Sequence, residues 1–505
     1  MHNYRENGKV KHKVISNLSS WPSELIDQFE ALLKGNKITK LEDLNYTQGK
    51  AYGAIKIINE IAEQLGIKKA LGSNKQGNLC MLMIMGRILT NGSRLHLCNW
   101  AQDQAIEDVL NISNFNEDDL YSALDWICDN QKKIEKKLFV KKNTTKIEEL
   151  FLYDITSTYL EGELNELAAY GYNRDGKKGK KQIVVGLMTD KDGTPVSIEV
   201  FKGNMQDSKT VISQIKKLAN DFGVKKVIFV GDRGMIKKSA IEEITEENWH
   251  YITAITKPQI EKLIEDNVIQ LGLFDENLHE VEHKNIRYIL RRNNHRKEEI
   301  QKNRELKIEY INKKIEEKNK YLEEHKKSQV ESAKENIEKI IKKLKMQEII
   351  KFEIKERKIE HTLNKEELEK KSLLDGCYVL TTDIPCNQID KEIIHKRYKD
   401  LYEVEKAFRT IKTGLLEIRP IFLRKEKRTR GHVFICMLSY MITKYIWEKL
   451  KELEIQQEYI FQTLDKIQYI IYNYKNKEIK ILPSEYTEIQ NKILSGLNIK
   501  LPVQL

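Results

Sequence analysis

The residue types best suited to chemistry gather between Tyr398 and Lys412, in the run YKDLYEVEKAFRTIK. The run holds neither Pro nor Gly and mostly tolerates helix, so its spacing predicts one helix of about four turns. At about 100° per residue, Tyr398, Tyr402, Glu405, Arg409 and Lys412 share one narrow stripe. Leu401, Val404, Phe408, Ile411 and Leu415 form an adjoining apolar stripe that can face a core. A carboxylate is thus held between two phenols and two cations along a buried edge. That edge suits a metal ion beside a nucleic-acid phosphate. The same residues would also serve as the solvated face of an ordinary amphipathic helix. The helical period separates the local acids: with Tyr398 at zero, Glu405 falls near 340°, on the stripe. Glu403, near 140°, and Asp400, near 200°, fall off it. Glu417 lies beyond Gly414, where the helix can end.

Other elements must position such a helix. Residues 1–45 are polar and mixed and read as a loosely held arm. Residues 46–145 read as helical, with helices over Ala51–Leu65, Leu79–Leu89 and Arg94–Leu110. A fourth opens at Asn116, an N-cap with Asp119 three residues on, and runs through Trp126 to Ile134. A small helical domain ahead of a core can bind DNA or simply pack. From about residue 149 the pattern turns to strands. ELFLYDITSTY carries Asp154 among apolar neighbours, and KQIVVGLMTD and PVSIEVFKG follow, joined by a DKDG turn. Ser208 to Phe222 is helical, KVIFVGDRG is a buried strand ending in Asp232, and HYITAIT follows a short helix. Three antiparallel-type strands, a crossover helix and two more strands make the order an RNase H-like (retroviral-integrase-like) α/β core requires, over 146–257. One Asp at a strand end is commonly a turn or cap residue. Two, on the first and fourth strands, are neighbours in such a core.

Residues 258–390 read as an α+β insertion. Within it, 296–348 is rich in Lys and Glu and lacks Gly and Pro. Val330, Ala333, Ile337, Ile340 and Leu344 repeat at steps of 3 and 4, and Ile308, Ile311, Ile315 and Leu322 form a similar seam, so a long antiparallel helical hairpin is expected. NIRYILRR, KFEIK and GCYVLTT read as strands of a small β platform. The core resumes over 391–445 with the Glu405 helix, and 446–505 reads as a C-terminal helical region.

The totals set bounds. A chain of 505 residues can fold as several domains, and its net charge of +11 fits a polyanion partner without demanding one. The six Cys include no C-x-x-C pair, which suits reduced thiols in a cytoplasmic protein. No apolar run is long enough for a bilayer, which needs about 20 residues, and no membrane partner is expected.

Tyr398, Glu405 and Lys412 fit the pattern Tyr-x2-Arg-x3-Glu-x6-Lys and resemble the signature of cut-and-paste insertion-sequence transposases of the DDE type. Leu401 stands where that signature has Arg. The segments YDITSTY, YGYNRDGKKGKKQ, FKGNMQDSKT, VGDRGM and LEIRPIFL…RTRGHVFI resemble the family's other motifs, over most of residues 50–445. The resemblance implies cleavage at inverted-repeat ends and strand transfer by a triad of Asp154, Asp232 and Glu405. Three gathered carboxylates repel unless cations sit among them, and all-oxygen ligands favour two Mg2+, with Mn2+ able to substitute. On the same resemblance Tyr398 and Lys412 hold phosphates of the transposon end, and Arg409 joins them by helix geometry. Arg174, Lys177, Lys178, Lys180 and Lys181 form a second phosphate-contact loop, or else a solvated turn. The implied partners are double-stranded transposon ends, target DNA and a second copy in a synaptic homodimer. Two alternatives stay open: an RNase H-like nuclease or resolvase without strand transfer, and a catalytically inactive DNA-binding assembly protein. The glycines of 171–179 form no nucleotide P-loop.

Overall fold

Runs of β-branched and aromatic residues build the centre of the fold. The computed structural model describes residues 2–18, 20–35, 45–142, 149–177, 179–413, 416–419, 421–474 and 477–505. These divide into two compact units: residues 61–98 with 114–448, and residues 1–60 with 99–113 and 449–505.

The larger unit is a mixed α/β structure on one eight-stranded sheet. Its strands are β1 (Leu150–Tyr159), β2 (Gln182–Asp190), β3 (Pro195–Lys202), β4 (Ile228–Gly231), β5 (His250–Ala254), β6 (His279–His283), β7 (Ile286–Arg292) and β8 (Cys377–Thr382). They lie in the order β3-β2-β1-β4-β5-β8-β7-β6. The first three form an antiparallel meander, with β1 and β2 in register from Tyr159 opposite Gln182 to Phe151 opposite Asp190. β4 runs parallel to β1 and β5 parallel to β4.

One face of this sheet is covered by α1 (Glu117–Lys142), α2 (Asp207–Lys217) and α3 (Lys238–Glu246). Phe139, Tyr153, Ile155, Val184, Met188, Val211, Ile215, Phe229, Ala240 and Trp249 form its core. α1 opens on the expected capping pair: the Asp119 amide donates to Asn116 Oδ1 at 3.0 Å, and the Asn116 amide donates to Asp119 Oδ2 at 3.2 Å. It runs past Ile134 to Lys142, because its second half also packs: the Ile198 amide of β3 donates to the buried Glu135 carboxylate at 3.2 Å. Part of the stretch read as a separate DNA-end domain therefore packs with the main sheet, and 46–145 is not one compact unit.

Beyond β5 lie α4 (Asn294–Glu324) and α5 (Val330–Leu344), whose apolar stripes pair Ile311, Ile315 and Leu322 with Ala333, Ile337 and Ile341. A β-hairpin of Ile350–Lys355 and Lys358–Leu363 closes this cluster with Ile350 and Ile359. The expected separate β platform is corrected here. NIRYILRR and GCYVLTT become β7 and β8 and extend the main sheet, with Thr382 opposite Ile252 of β5, while KFEIK sits in the hairpin. Next come α6 (Lys391–Lys399), α7 (Leu401–Lys412) and α8 (Glu426–Leu450), in which Gly431–Thr443 is wholly buried.

Three further expectations are corrected. Residues 1–45 hold more than an arm: His2–Glu6 pairs with Lys9–Lys13, and Ser23–Leu33 is a helix. The C-terminal region is not all helix, since Gln468–Tyr474 pairs with both Lys477–Ile481 and Asn45–Ala51 in a three-stranded sheet. The stretch read as Arg94–Leu110 is likewise two helices, Arg94–Trp100 and Ile106–Leu110. Among the described residues, no helix is long and apolar enough to cross a membrane.

Candidate active site

Register places the first two carboxylates. Tyr153 of β1 lies opposite Gly231 of β4, and Asp154 and Asp232 are the residues immediately after them. They therefore lie at the same level of adjacent parallel strands, Asp154 within β1 and not at a strand end, Asp232 just past the end of β4. Side chains alternate along a strand, and Tyr153 and Ile155 point into the α1–α3 core, so Asp154 points to the other face. α7 packs on that face against β1 and β2 through Val404, Ala407, Phe408 and Ile411. Its polar edge places Glu405 near enough for its charge to act on Asp154 and Tyr398.

Electrostatics register this convergence. Burial pushes the Asp154 carboxyl up to about 7, and repulsion from Glu405 and Asp232 adds to it. The Ile155 amide and the Arg174 charge act the other way. Asp232 is exposed, and its Oδ1 accepts from its neighbour's amide (Arg233, 2.8 Å) and from the Tyr398 hydroxyl (3.2 Å). Burial, then the Asp232 charge, raises the Tyr398 phenol, which therefore stays a donor.

The structure differs from the single helix expected over Tyr398–Lys412. α6 and α7 meet at Asp400, whose φ of −61° and ψ of −14° stay close to helical values. The Asp400 amide still bonds Lys396 O at 3.0 Å, while the Glu403 amide turns back to Asp400 O at 2.9 Å. The joint divides the run, so Tyr398 and Glu405 come from successive helices. Glu403 is turned toward the β2–β3 turn, where a Cβ added to Gly193 would come within 2.7 Å of Glu403 Cβ.

The cations are less uniform than expected. Lys412 Nζ donates to Asp175 Oδ1 at 2.8 Å, and Arg419 donates to the same oxygen at 2.6 Å. Arg174 turns toward the site: its amide donates to Ser157 Oγ at 2.7 Å and its guanidinium to Asp207 Oδ2 at 2.8 Å. Its loop neighbours turn elsewhere. Lys177 covers the Tyr159 ring, Lys180 pairs with Glu161, and Lys181 bonds Glu163 O at 3.3 Å. Lys178 lies outside the described residues. Arg409 is exposed on the last turn of α7. Asp175, Asp207 and Arg419 were not singled out from sequence as site residues. Asp175 sits in the NRDG turn, where turn chemistry explains an Asp by itself.

As they stand, no His, Cys, Asp and Glu side chains among the described residues form a group of three or more that could hold a metal ion. The chemistry of the converging set is nevertheless specific: three carboxylates, no imidazole and no thiolate. Such a set fits hard divalent cations taking oxygen ligands. The mutual repulsion felt by Asp154 is what such a cation would relieve.

Residues 145–442 match the family model for the transposase DDE domain, and residues 1–43 match that for the N-terminal domain of IS1634 family transposases. Two solved structures resemble the chain distantly. One is a piggyBac transposase synaptic complex with hairpin DNA: 9% identity, 84% of this chain and 81% of that chain covered, TM-score 0.39. The other is a Mos1 transposase paired-end complex with left transposon end: 10% identity, 46% of this chain and 68% of that chain covered, TM-score 0.16. No curated protein matches the chain in sequence.

Proposed function

Because the chain belongs to the DDE transposases of insertion sequences, we propose that Asp154, Asp232 and Glu405 are its catalytic carboxylates and that it moves DNA by cut-and-paste. The observation that supports the assignment is the register that sets Asp154 and Asp232 at one level on adjacent strands, with the Asp154 anion disfavoured by burial first and then by the charges of Glu405 and Asp232. The strand order β3-β2-β1-β4-β5, with β4 and β5 parallel to β1, supports reading this half of the sheet as an RNase H-like core. β6, β7, β8, α4 and α5 are then insertions that enlarge it.

The three carboxylates would hold two divalent ions, Mg2+ by preference. Bound there, such ions activate a water or a 3′-hydroxyl and stabilise the leaving oxygen. The remaining roles fall to the chain itself. Tyr398 donates to Asp232 and fixes the direction in which that carboxylate faces. α7, pinned by four buried apolar residues, keeps Glu405 in register with β1. Arg174, Lys412 and Arg409 line the polar edge along which phosphates of the transposon end would run. Cleaved 3′ ends are then joined to target DNA within a synaptic homodimer.

Incubation with DNA from the ends of its own element, with Mg2+, Mn2+ or a chelator, tests this reading. Strand cuts at the element boundary that vanish with chelator, together with joined products on a target plasmid, are expected. Cuts without joined products would leave a nuclease instead of a transposase.

A further inference from the structure

Asp175 is an uncommon place to find two cations. Its side chain is 3% exposed, and one oxygen, Oδ1, accepts from both Lys412 and Arg419, themselves only 12% and 24% exposed. The other oxygen accepts from the Tyr159 amide of β1 at 3.3 Å, so the carboxylate is anchored to the strand that carries Asp154. Its own amide is held by Asn173 Oδ1 at 2.9 Å, which fixes the turn. Arg174, the preceding residue, adds a third positive charge, tied by Asp207. Burial lowers the Lys412 ammonium despite its bond to Asp175, and the nearby Arg419 and Arg174 charges push the same way. Two largely buried cations on one carboxylate oxygen give the three groups a net positive charge. Like charges this close repel strongly unless a second anion is shared between them.

We propose that Lys412 and Arg419, clasped by Asp175, form a phosphodiester-binding site of which Arg419 is a contact residue and Asp175 the positioning residue. The proposal rests on the DNA-cleaving reading of the site and deepens it. Arg419 lies outside the Tyr-to-Lys signature and reaches the pair from the segment that follows α7. Its planar fork carries five N–H donors, so two can grip a phosphate while one on Nη1 stays with Asp175. Lys412 follows Glu405 by seven residues, about 10 Å along the helix. The phosphate it holds therefore lies within roughly three nucleotides of the cut, at about 3.4 Å of axial rise per nucleotide.

The experiment measures end-DNA binding by the full chain across a salt series, for wild type, Arg419→Ala, Arg419→Lys and Asp175→Asn, with Glu405→Gln as reference. Arg419→Ala should weaken binding about tenfold. It should also lower the slope of log affinity against log salt by about 0.9, the value for one lost phosphate contact. Arg419→Lys should keep the slope. Asp175→Asn should keep the slope but lower the cleavage rate, because both cations remain yet are no longer aimed. A merely structural Arg419 would lower thermal stability and leave the slope alone. The second arm leaves the protein untouched: single methylphosphonates are placed along the first few nucleotides of the end. One position should weaken wild type and weaken Arg419→Ala clearly less, since only Lys412 then remains on that phosphate. A wild-type slope in Arg419→Ala, or equal methylphosphonate sensitivity in both proteins, overturns the clasp. Glu405→Gln cutting as fast as wild type would instead overturn the catalytic assignment beneath it, so the two failures are distinguishable.

Discussion

Gly193 offers a way to move α7, the helix proposed to carry the third catalytic carboxylate, without altering that carboxylate. It lies in the β2–β3 turn at φ +74°, its amide donating to Asp190 O at 3.1 Å, while Asp190 Oδ1 accepts from the Asp192 and Thr194 amides. A methyl group there meets two costs. The left-handed conformation costs an L-residue roughly 1–2 kcal/mol. The new Cβ would also stand 2.7 Å from Glu403 Cβ, and overpacking of that kind costs about 1–3 kcal/mol. Because the contact is with Glu403 Cβ, shortening Glu403 to Ala gives no relief. Gly223 supplies the control: its φ is +67° and nothing lies within 4 Å of an added Cβ, so only the backbone cost applies. Gly193→Ala should thus be about 1–3 kcal/mol less stable than Gly223→Ala in urea denaturation. The clash is relieved by α7 shifting outward, and a misplacement near 1 Å can cost about a hundredfold in rate. Single-turnover cleavage of end DNA should fall accordingly in Gly193→Ala and hold in Gly223→Ala. Equal stability and equal cleavage in the two variants would refute the idea that this turn braces α7.

Asp154→Asn and Asp232→Asn should each abolish metal-dependent cleavage, by about a thousandfold or more, yet retain end-DNA binding in a gel-shift assay. Retained cleavage would remove that residue from the metal site. Fe2+ with ascorbate and peroxide should cut the backbone near residues 154, 232 and 405, and cuts clustered elsewhere on a gel would move the metal site. Burial, with Lys399 and Arg291 adding, holds His395 down to about 4 from its usual 6.5. The unfolded chain takes up that proton first, so the stability is present above about pH 6.5 and lost as pH falls toward 4. His395→Gln should flatten denaturation midpoints between those pH values, and an unchanged slope would show that His395 is not the titrating group.

The parts of the fold legible in the sequence are those fixed by local pattern. β1, β2 and β4 are apolar runs between turn residues, and Asn116 with Asp119 marks the start of α1. Pairings between distant segments left no local mark. Thr382 meets Ile252 and Gln468 meets Ala51, so β8 read as a separate platform and Gln468–Tyr474 was absorbed into a helical tail. The joint at Asp400 was invisible because its backbone stays near helical values and no Pro or Gly announces it. Glu403 and Glu405 both lie within α7, so the helical period that sets them apart does not depend on that joint. Lys412 was legible as a cation but not as half of a clasp, because Asp175 lies 237 residues away in sequence.

The central claim is that Glu405, with Asp154 and Asp232, holds the catalytic ions, and one pair of substitutions tests it most directly. Glu405→Gln and Glu403→Gln should be compared in a plasmid excision assay with Mg2+, beside far-UV circular dichroism to show both are folded. The account predicts a loss of about a thousandfold or more for Glu405→Gln, because metal and transition-state charge stabilisation are the main catalytic contributions. It predicts near-normal excision for Glu403→Gln, whose side chain faces the Gly193 turn. The reverse pattern, or normal excision by Glu405→Gln, would contradict the placement of the active site.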